Sequence, residues 1–176
     1  MMRMDWLQKD GYRLRAPEPE DLDSMMQLEN LPDLWELNNA TGPYSRYALK
    51  QYIATNQNDI YTDGQLRLMI ETPNKEVAGI IDLFGFEPFH NRAEVGIVIA
   101  DKYRNLGIGQ QSLLLLIEYS FNYLGLKQLY AHIDTSNHAS RKLFKKCGFE
   151  ECGVLKSWMR TGRDYRDVIM VQLINS

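Results

Sequence analysis

The segment from Ala93 to Ile133 constrains the fold more than any other part of the chain. Ala93–Ile99 reads as an apolar strand, and Gly107–Leu124 reads as a long helix ended by Gly125. Leu129–Ile133 reads as a second strand, apolar enough to be buried on both faces. Two parallel strands need a crossover of about a dozen residues or more, and only this segment of the 176-residue chain offers one. The remaining neighbouring strands are then expected to pair antiparallel.

Periodicity and punctuation supply the other elements. Tyr12–Ala16 alternates as a strand, and Pro17–Asn30 reads as a helix with Glu18, Glu20 and Asp21 in its first turns, where the dipole favours acids. Pro32 interrupts, and a second helical stretch runs near Tyr47–Asn56. Leu66–Glu71 and Val77–Phe86 read as strands on either side of a Thr72-Pro73-Asn74-Lys75 turn. Asn137 caps a short helix that runs to Lys146 and stops at Gly148. Phe149–Arg160 and Tyr165–Ile174 form a hairpin around Thr161-Gly162-Arg163-Asp164. No solenoid repeat or low-complexity linker divides the chain. The expected fold is therefore α/β (α+β): one domain over residues 1–176, with a single mixed, mostly antiparallel sheet. One parallel central strand pair lies in that sheet, and helices flank it.

Composition narrows the function classes. With 44% apolar residues and a net charge of -3, wholesale disorder is excluded, and a pI near 5.6 argues against a nucleic-acid binder. The N-terminus lacks the apolar core of a signal peptide, and the longest apolar run, Leu113–Ile117, is too short to cross a bilayer. Cys147 and Cys152 read as free thiols in a reducing cytosol, so the expected location is cytoplasmic, away from membranes. A zinc pair would need CxxC spacing or clustered histidines. His90, His132 and His138 are scattered, so no metal is expected. The charge is unevenly spread. Residues 1–101 hold 9 Lys/Arg against 17 Asp/Glu, and residues 102–176 hold 11 against 6. Such a split suits a cation on the first part and an anion on the second.

The basic part opens on Asp101-Lys102-Tyr103-Arg104-Asn105-Leu106-Gly107-Ile108-Gly109-Gln110, between the strand and the helix of the crossover. Its glycines let the backbone turn tightly and approach a ligand, and the free N–H groups of a first helical turn bind anions such as a pyrophosphate. A P-loop would need GxxxxGK[ST], which is absent. A dinucleotide fold would need a third glycine after Gly107 and Gly109, and Ser112 stands there. That reading would make the chain a nicotinamide dehydrogenase, with Asp134 as the ribose-binding acid. Against it, six residues separate strand and glycine turn, and too little chain follows Asp134 to complete a doubly wound sheet. An ordinary glycine-containing helix start is the plain alternative.

Two spaced motifs decide among these. Arg104-Asn105-Leu106-Gly107-Ile108-Gly109 resembles the [Arg/Gln]-x-x-Gly-x-[Gly/Ala] signature of the GNAT superfamily of acetyl-CoA-dependent N-acetyltransferases. Asn137-His138-Ala139-Ser140-Arg141-Lys142-Leu143-Phe144-Lys145-Lys146-Cys147-Gly148-Phe149 resembles its N-x-x-[Ala/Ser]-x-x-x-[Tyr/Phe]-x-x-x-Gly-Phe segment. Leu14–Asp21 and Gly162–Asp167 are similar to the branch of ribosomal-protein N-terminal acetyltransferases and bacterial spermidine acetyltransferases. The resemblance spans nearly the whole chain, more loosely between Leu31 and Leu66.

The resemblance implies a GNAT-like single N-acetyltransferase domain, with acetyl-CoA and an amine acceptor as its partners. The amides of Leu106, Gly107, Ile108, Gly109 and Gln110, in and directly after the Arg104–Gly109 signature that includes Asn105, would hold the coenzyme A pyrophosphate. The backbone of Ile97, Val98 and Ile99 would pair with the pantetheine arm like an added strand. Asn137 would bond near the arm's far end, and Phe144 would lie beside the thioester. Lys142, Lys145 and Lys146 are candidates for the 3′-phosphate, or simply a solvated helix face. Glu94 is the candidate catalytic base, directly or through water, or else a structural carboxylate paired with Arg92. Spermidine acetyltransferases carry a tyrosine, a presumed acid, where this chain has Phe144. A thiol leaves tolerably without an acid, and water, Tyr130 or Tyr165 could substitute.

The acceptor would meet the acidic part, where Glu18, Glu20, Asp21, Asp23, Glu29, Asp33 and Glu36 crowd one region. They form either a negative rim for an amine or a solvated helix face. The polyamine enzymes have paired glutamates before a Pro-Tyr, and this chain has Thr41-Gly42-Pro43-Tyr44. A peptide α-amine, with its lower pKa, would need less help from a base than a polyamine would. Trp6, Trp35 and Trp158 could line a pocket or belong to core or dimer contacts. The expected function is direct acetyl transfer to a primary amine in a ternary complex. A non-catalytic acyl-CoA-binding or sensing module is the alternative. Homodimers are common in the family, though no residue here demands one.

Overall fold

The computed structural model describes residues 5–31 and 41–176. Its strands are β1 (Gln8–Lys9), β2 (Tyr12–Arg15), β3 (Leu66–Glu71), β4 (Val77–Glu87), β5 (Arg92–Ile99), β6 (Gln128–Asp134), β7 (Glu150–Thr161) and β8 (Asp164–Ile174). Among the described residues these form one sheet in the order β1-β2-β3-β4-β5-β6-β8-β7. β5 and β6 run parallel and every other neighbouring pair runs antiparallel. The mixed sheet expected from the single crossover is the one observed, and its order excludes a doubly wound dinucleotide fold. The helices are α1 (Leu22–Glu29), α2 (Arg46–Thr55), α3 (Ile60–Asp63), α4 (Ile108–Glu118) and α5 (His138–Lys146).

Strand alternation explains how both sheet faces are covered. Leu68 and Ile70 of β3 point into the larger core with Val95, Leu129, Leu113 and Leu116, beneath α4. Met69, between them, points the other way and packs with Ile80, Met25, Leu28 and Leu49, beneath α1 and α2. Residues of β5 alternate in the same manner. Ala93 and Val95 are buried toward α4, while Val98 packs on the α1/α2 side. Glu94, of the same parity as Val98, therefore also faces α1 and α2.

Two boundaries and two short elements differ from those expected. The first helix is delayed, because Pro19–Asp21 forms a tighter three-residue turn before α1. Asp21 is bound there by Arg15 at 2.7 Å and by the Glu18 amide at 2.7 Å. The Gly107–Leu124 helix is α-helical only to Glu118. It then widens over Tyr119–Tyr123, where the Leu124 amide donates to the Tyr119 carbonyl at 3.0 Å. β1 and α3 were not expected, since two residues and one turn are too short to leave a period. No helix of the described residues is long and apolar enough to cross a membrane.

Candidate active site

The start of α4 is open. The chain leaves β5 through a short turn, Asp101–Tyr103, and reaches Gly107 with φ +78°, a left-handed conformation that glycine adopts without penalty. Gly107 is the N-cap residue and brings no side chain to cap the helix. The amides of Ile108, Gly109 and Gln110 lie in the first turn, where no intrahelical carbonyl can reach them, and the dipole adds positive potential. Nothing lies within 4 Å of where a Gly107 Cβ would sit. At Gly109 a Cβ would touch Leu143 of α5 at 3.4 Å, so this glycine lets the two helices approach. Arg104, Asn105 and Leu106 are exposed around the turn. The Arg104 Nε donates to the Ile99 carbonyl at 3.1 Å, and its Nη1 sits 3.1 Å from Asp101.

Just before this turn the sheet forks. β5 and β6 register at Arg92↔Gln128, Ala93↔Leu129 and Glu94↔Tyr130, and there the pairing ends. Beyond Glu94, β5 stays on β4 out to Ile99, while β6 stays on β8 out to Asp134. Among the described residues no strand fills the gap, so one backbone edge through Ile97, Val98 and Ile99 is left without a strand partner. An extended chain could pair along it, and its anionic end would arrive at the α4 amides.

The mouth of the fork holds the polar groups. Arg92 pairs with Glu87 at 3.0 Å and not with Glu94. The Glu94 Oε1 instead lies 2.6 Å from Nδ1 of His132. The imidazole stacks on Trp158 of β7, with centroids 6.2 Å apart and planes 15° apart. Tyr130 meets it edge-on at 5.9 Å. Burial, with the negative charges of Glu94 and Glu87, raises the Tyr130 hydroxyl above the usual phenol range, so it stays a proton-bearing donor at neutral pH. Tyr165, near the β7–β8 hairpin turn, is 60% exposed. His132 was missed by sequence reasoning, which treated the histidines together as evidence against a metal. The available signal was alternation along β6, which puts Tyr130 and His132 on the face of Glu94.

Other sequence candidates have structural roles in this geometry. The Asn137 Oδ1 accepts from the Ser140 amide at 3.1 Å and caps α5. Phe144 is 3% exposed in the core, edge-on to Phe149 at 4.9 Å. Lys142, Lys145 and Lys146 are exposed on α5. Much of the acidic run is taken up by pairs. Asp21 binds Arg15, Asp23 binds Arg46 at 2.7 Å, and buried Glu29 binds Arg67, which also meets Asp82 at 2.8 Å. Asp33, Glu36 and Trp35 lie outside the described residues, and Trp6 is half-buried.

A strand edge opened by a fork, leading to an uncapped helix start, suits an extended carrier with a phosphate at one end and a reacting group at the other. That defines an acyltransferase of the coenzyme A type. Residues 12–150 match the family described as "Acetyltransferase (GNAT) domain", and the chain belongs to this family. It is similar to the spermidine N(1)-acetyltransferase of Escherichia coli (strain K12), at 27% identity over 90% of this chain and 83% of the relative. A solved spermidine N-acetyltransferase from Vibrio cholerae, in complex with CoA and spermine, superposes with TM-score 0.85 at 25% identity, covering 94% of this chain and 96% of that one. A dodecameric structure of the Vibrio cholerae enzyme superposes with TM-score 0.78 at 26% identity, covering 94% and 95%. The protein is an acetyl-CoA-dependent N-acetyltransferase that moves an acetyl group to an amine.

Proposed function

We propose that acetyl-CoA lies in the fork between β5 and β6 and that the acceptor amine reaches it from the α1/α2 face. The splay after Glu94↔Tyr130, ending at the uncapped α4, is the observation that carries this reading. The amides of Leu106–Gln110 take the pyrophosphate, the backbone of Ile97–Ile99 pairs with the pantetheine arm, and Arg104 and Asn105 shape the turn. Asn137 and Phe144 support the site indirectly, the first by capping α5 and the second by filling the core beneath it. The Glu94 end of the fork receives the proton that the amine sheds. Tyr130, kept protonated and the register partner of Glu94, suits a donor to the leaving thiolate.

The acceptor is an aliphatic primary amine of the polyamine kind, as the names of the similar enzymes suggest. A peptide α-amine is the second reading. It is favoured by the ion pairs of Asp21, Asp23 and Glu29, which leave fewer free carboxylates for a polycation. Residues 1–176 act as one N-acetyltransferase domain, and the dodecameric relative supports an oligomer. Thiol release from acetyl-CoA, measured against a panel of spermidine, spermine, a lysine ester and a short peptide with a free N-terminus, tests the reading. Turnover restricted to the peptide would reject the polyamine assignment, and no acetyl-CoA binding by calorimetry would reject the site.

A further inference from the structure

We propose that His132 is the base, taking the acceptor's proton on Nε2, and that Glu94 is a positioning residue that holds its ring. The inference rests on the acetyl-transfer reading and deepens it by dividing the labour at the mouth of the fork.

The contact itself sets the direction. An ionised carboxylate can only accept, so at 2.6 Å the Nδ1 of His132 must carry the hydrogen. A neutral imidazole with its proton on Nδ1 presents a lone pair on Nε2. Glu94 thereby fixes the tautomer and places negative charge where it stabilises the imidazolium formed on proton uptake. A buried carboxylate does the same for the histidine of a hydrolase triad. The ring is also restrained on other sides, by the Trp158 indole against its face and by Tyr130 edge-on. Its side chain is 24% exposed and that of Glu94 is 18% exposed, so the histidine is the more accessible of the two. An imidazole is in general a stronger base than a carboxylate, by about 2 pK units in water, and better matched to neutral pH.

The surroundings leave Glu94 as the charge that matters most. Tyr130 on β6 is a neutral phenol. Glu87 on β4 and Arg92 on β5 are paired with each other. Across β4 the register partner of Glu94 is Phe84, and across β8 the partner of His132 is Met170. Trp158 covers the β7 side. Among the described residues, the carboxylate in hydrogen-bond contact with the imidazole is that of Glu94.

The step balances without a further reactant. The amine nitrogen forms a bond to the acetyl carbon as the carbon–sulfur bond breaks, and the electron pair leaves on sulfur as thiolate. The nitrogen's surplus proton passes to Nε2. The thiolate takes its proton from Tyr130, the imidazolium beside Glu94 passes its proton through water to the phenolate, and both side chains return to their starting states.

Two variants divide the roles. Glu94→Gln keeps an oxygen that accepts from Nδ1 and removes only the charge, while His132→Gln removes the base. We expect His132→Gln to lower kcat about 10²–10³-fold and to abolish the acidic limb of the kcat/KM profile between about pH 5.5 and 9.5. Its acetyl-CoA affinity should stay within about twofold by calorimetry, since the amides at the start of α4 and the Ile97–Ile99 edge are untouched. Glu94→Gln should lose only about 10-fold in kcat, with the KM for the amine within about twofold. Added imidazole should restore part of the activity of His132→Ala. Glu94→Gln proving the more damaging substitution overturns the assignment, as does an acidic limb unchanged in His132→Gln. If His132→Gln melts well below the wild type, Glu94→Gln still decides: a loss above about 100-fold overturns the proposal. Wild-type protein that binds no acetyl-CoA overturns the acetyl-transfer reading itself, a result that these variants do not produce.

Discussion

Alanine at Gly107 separates backbone strain from ligand contact. The residue sits at φ +78°, and no atom lies within 4 Å of the added Cβ. The methyl group therefore clashes with nothing in the free protein, and its cost is the left-handed conformation alone, roughly 1–2 kcal/mol. For a domain of this size each kcal/mol lowers Tm by about 2–4 °C, so Gly107→Ala should melt about 2–8 °C early. The same open space is where a pyrophosphate would approach the α4 amides. Loss of one charge-assisted hydrogen bond costs about 1.5–3 kcal/mol, or roughly 10- to 150-fold in Kd for acetyl-CoA. Gly125 is the control. It has φ +69°, equally open surroundings and a place at the far end of the same helical segment. Gly125→Ala should show the same fall in Tm with acetyl-CoA affinity unchanged. Calorimetric titration of both variants, with thermal melts alongside, is the assay. Equal affinities for the two variants would refute the placement of the pyrophosphate.

Further outcomes follow from buried charge and from thiol burial. Arg67→Met leaves the Glu29 and Asp82 carboxylates facing each other without their cation, and should cost about 3–5 kcal/mol by urea titration. Burial pushes the Asp21 and Asp134 carboxyls up, yet their donors win. Arg15 and the Glu18 amide hold Asp21 below the usual range, and Ser136 with Arg166 do so for Asp134. A depressed folded pKa means stability is present above the unfolded value, near ~3.9, and is lost as pH falls through the folded one. The urea midpoint should thus be level near neutral pH and drop below about pH 4, less steeply in Asp21→Asn. Burial pushes the Cys147 thiol up to about 11, while Cys152 is exposed. One thiol should react quickly with an aromatic disulfide in native protein and the second only in denaturant.

The parts of this fold written in local chemistry were legible from sequence. The strand–turn–helix–strand unit announced itself by length and glycine placement, and Asn137 by its capping chemistry. The family motifs located the helix start. What could not be read were consequences of three-dimensional register. The parallel pairing of β5 and β6 stops after Glu94 while each strand continues on its other neighbour, and no residue in the sequence marks that point. Glu94 and His132 stand 38 positions apart, so only the register joins them. Arg92, beside Glu94 in sequence, turns to Glu87 across the hairpin instead. Phe144 sits on the face of α5 that it shares with Cys147, and the motif position alone does not reveal that this face is buried. The acidic run looked like one field because spacing reveals charge but not partners.

The fork also divides the molecule mechanically. β1 through β5 form one slab and β6, β8 and β7 another. Between Arg92 and Glu94 the two share only three register pairs. The two halves remain joined by the core beneath α4, so the separate loosening is local to the fork, where amide hydrogen exchange at 95–99 and at 131–134 would report it as two units. A ligand that lies along the Ile97–Ile99 edge acts as a strut across this joint. Saturation with it should merge the two exchange units into one.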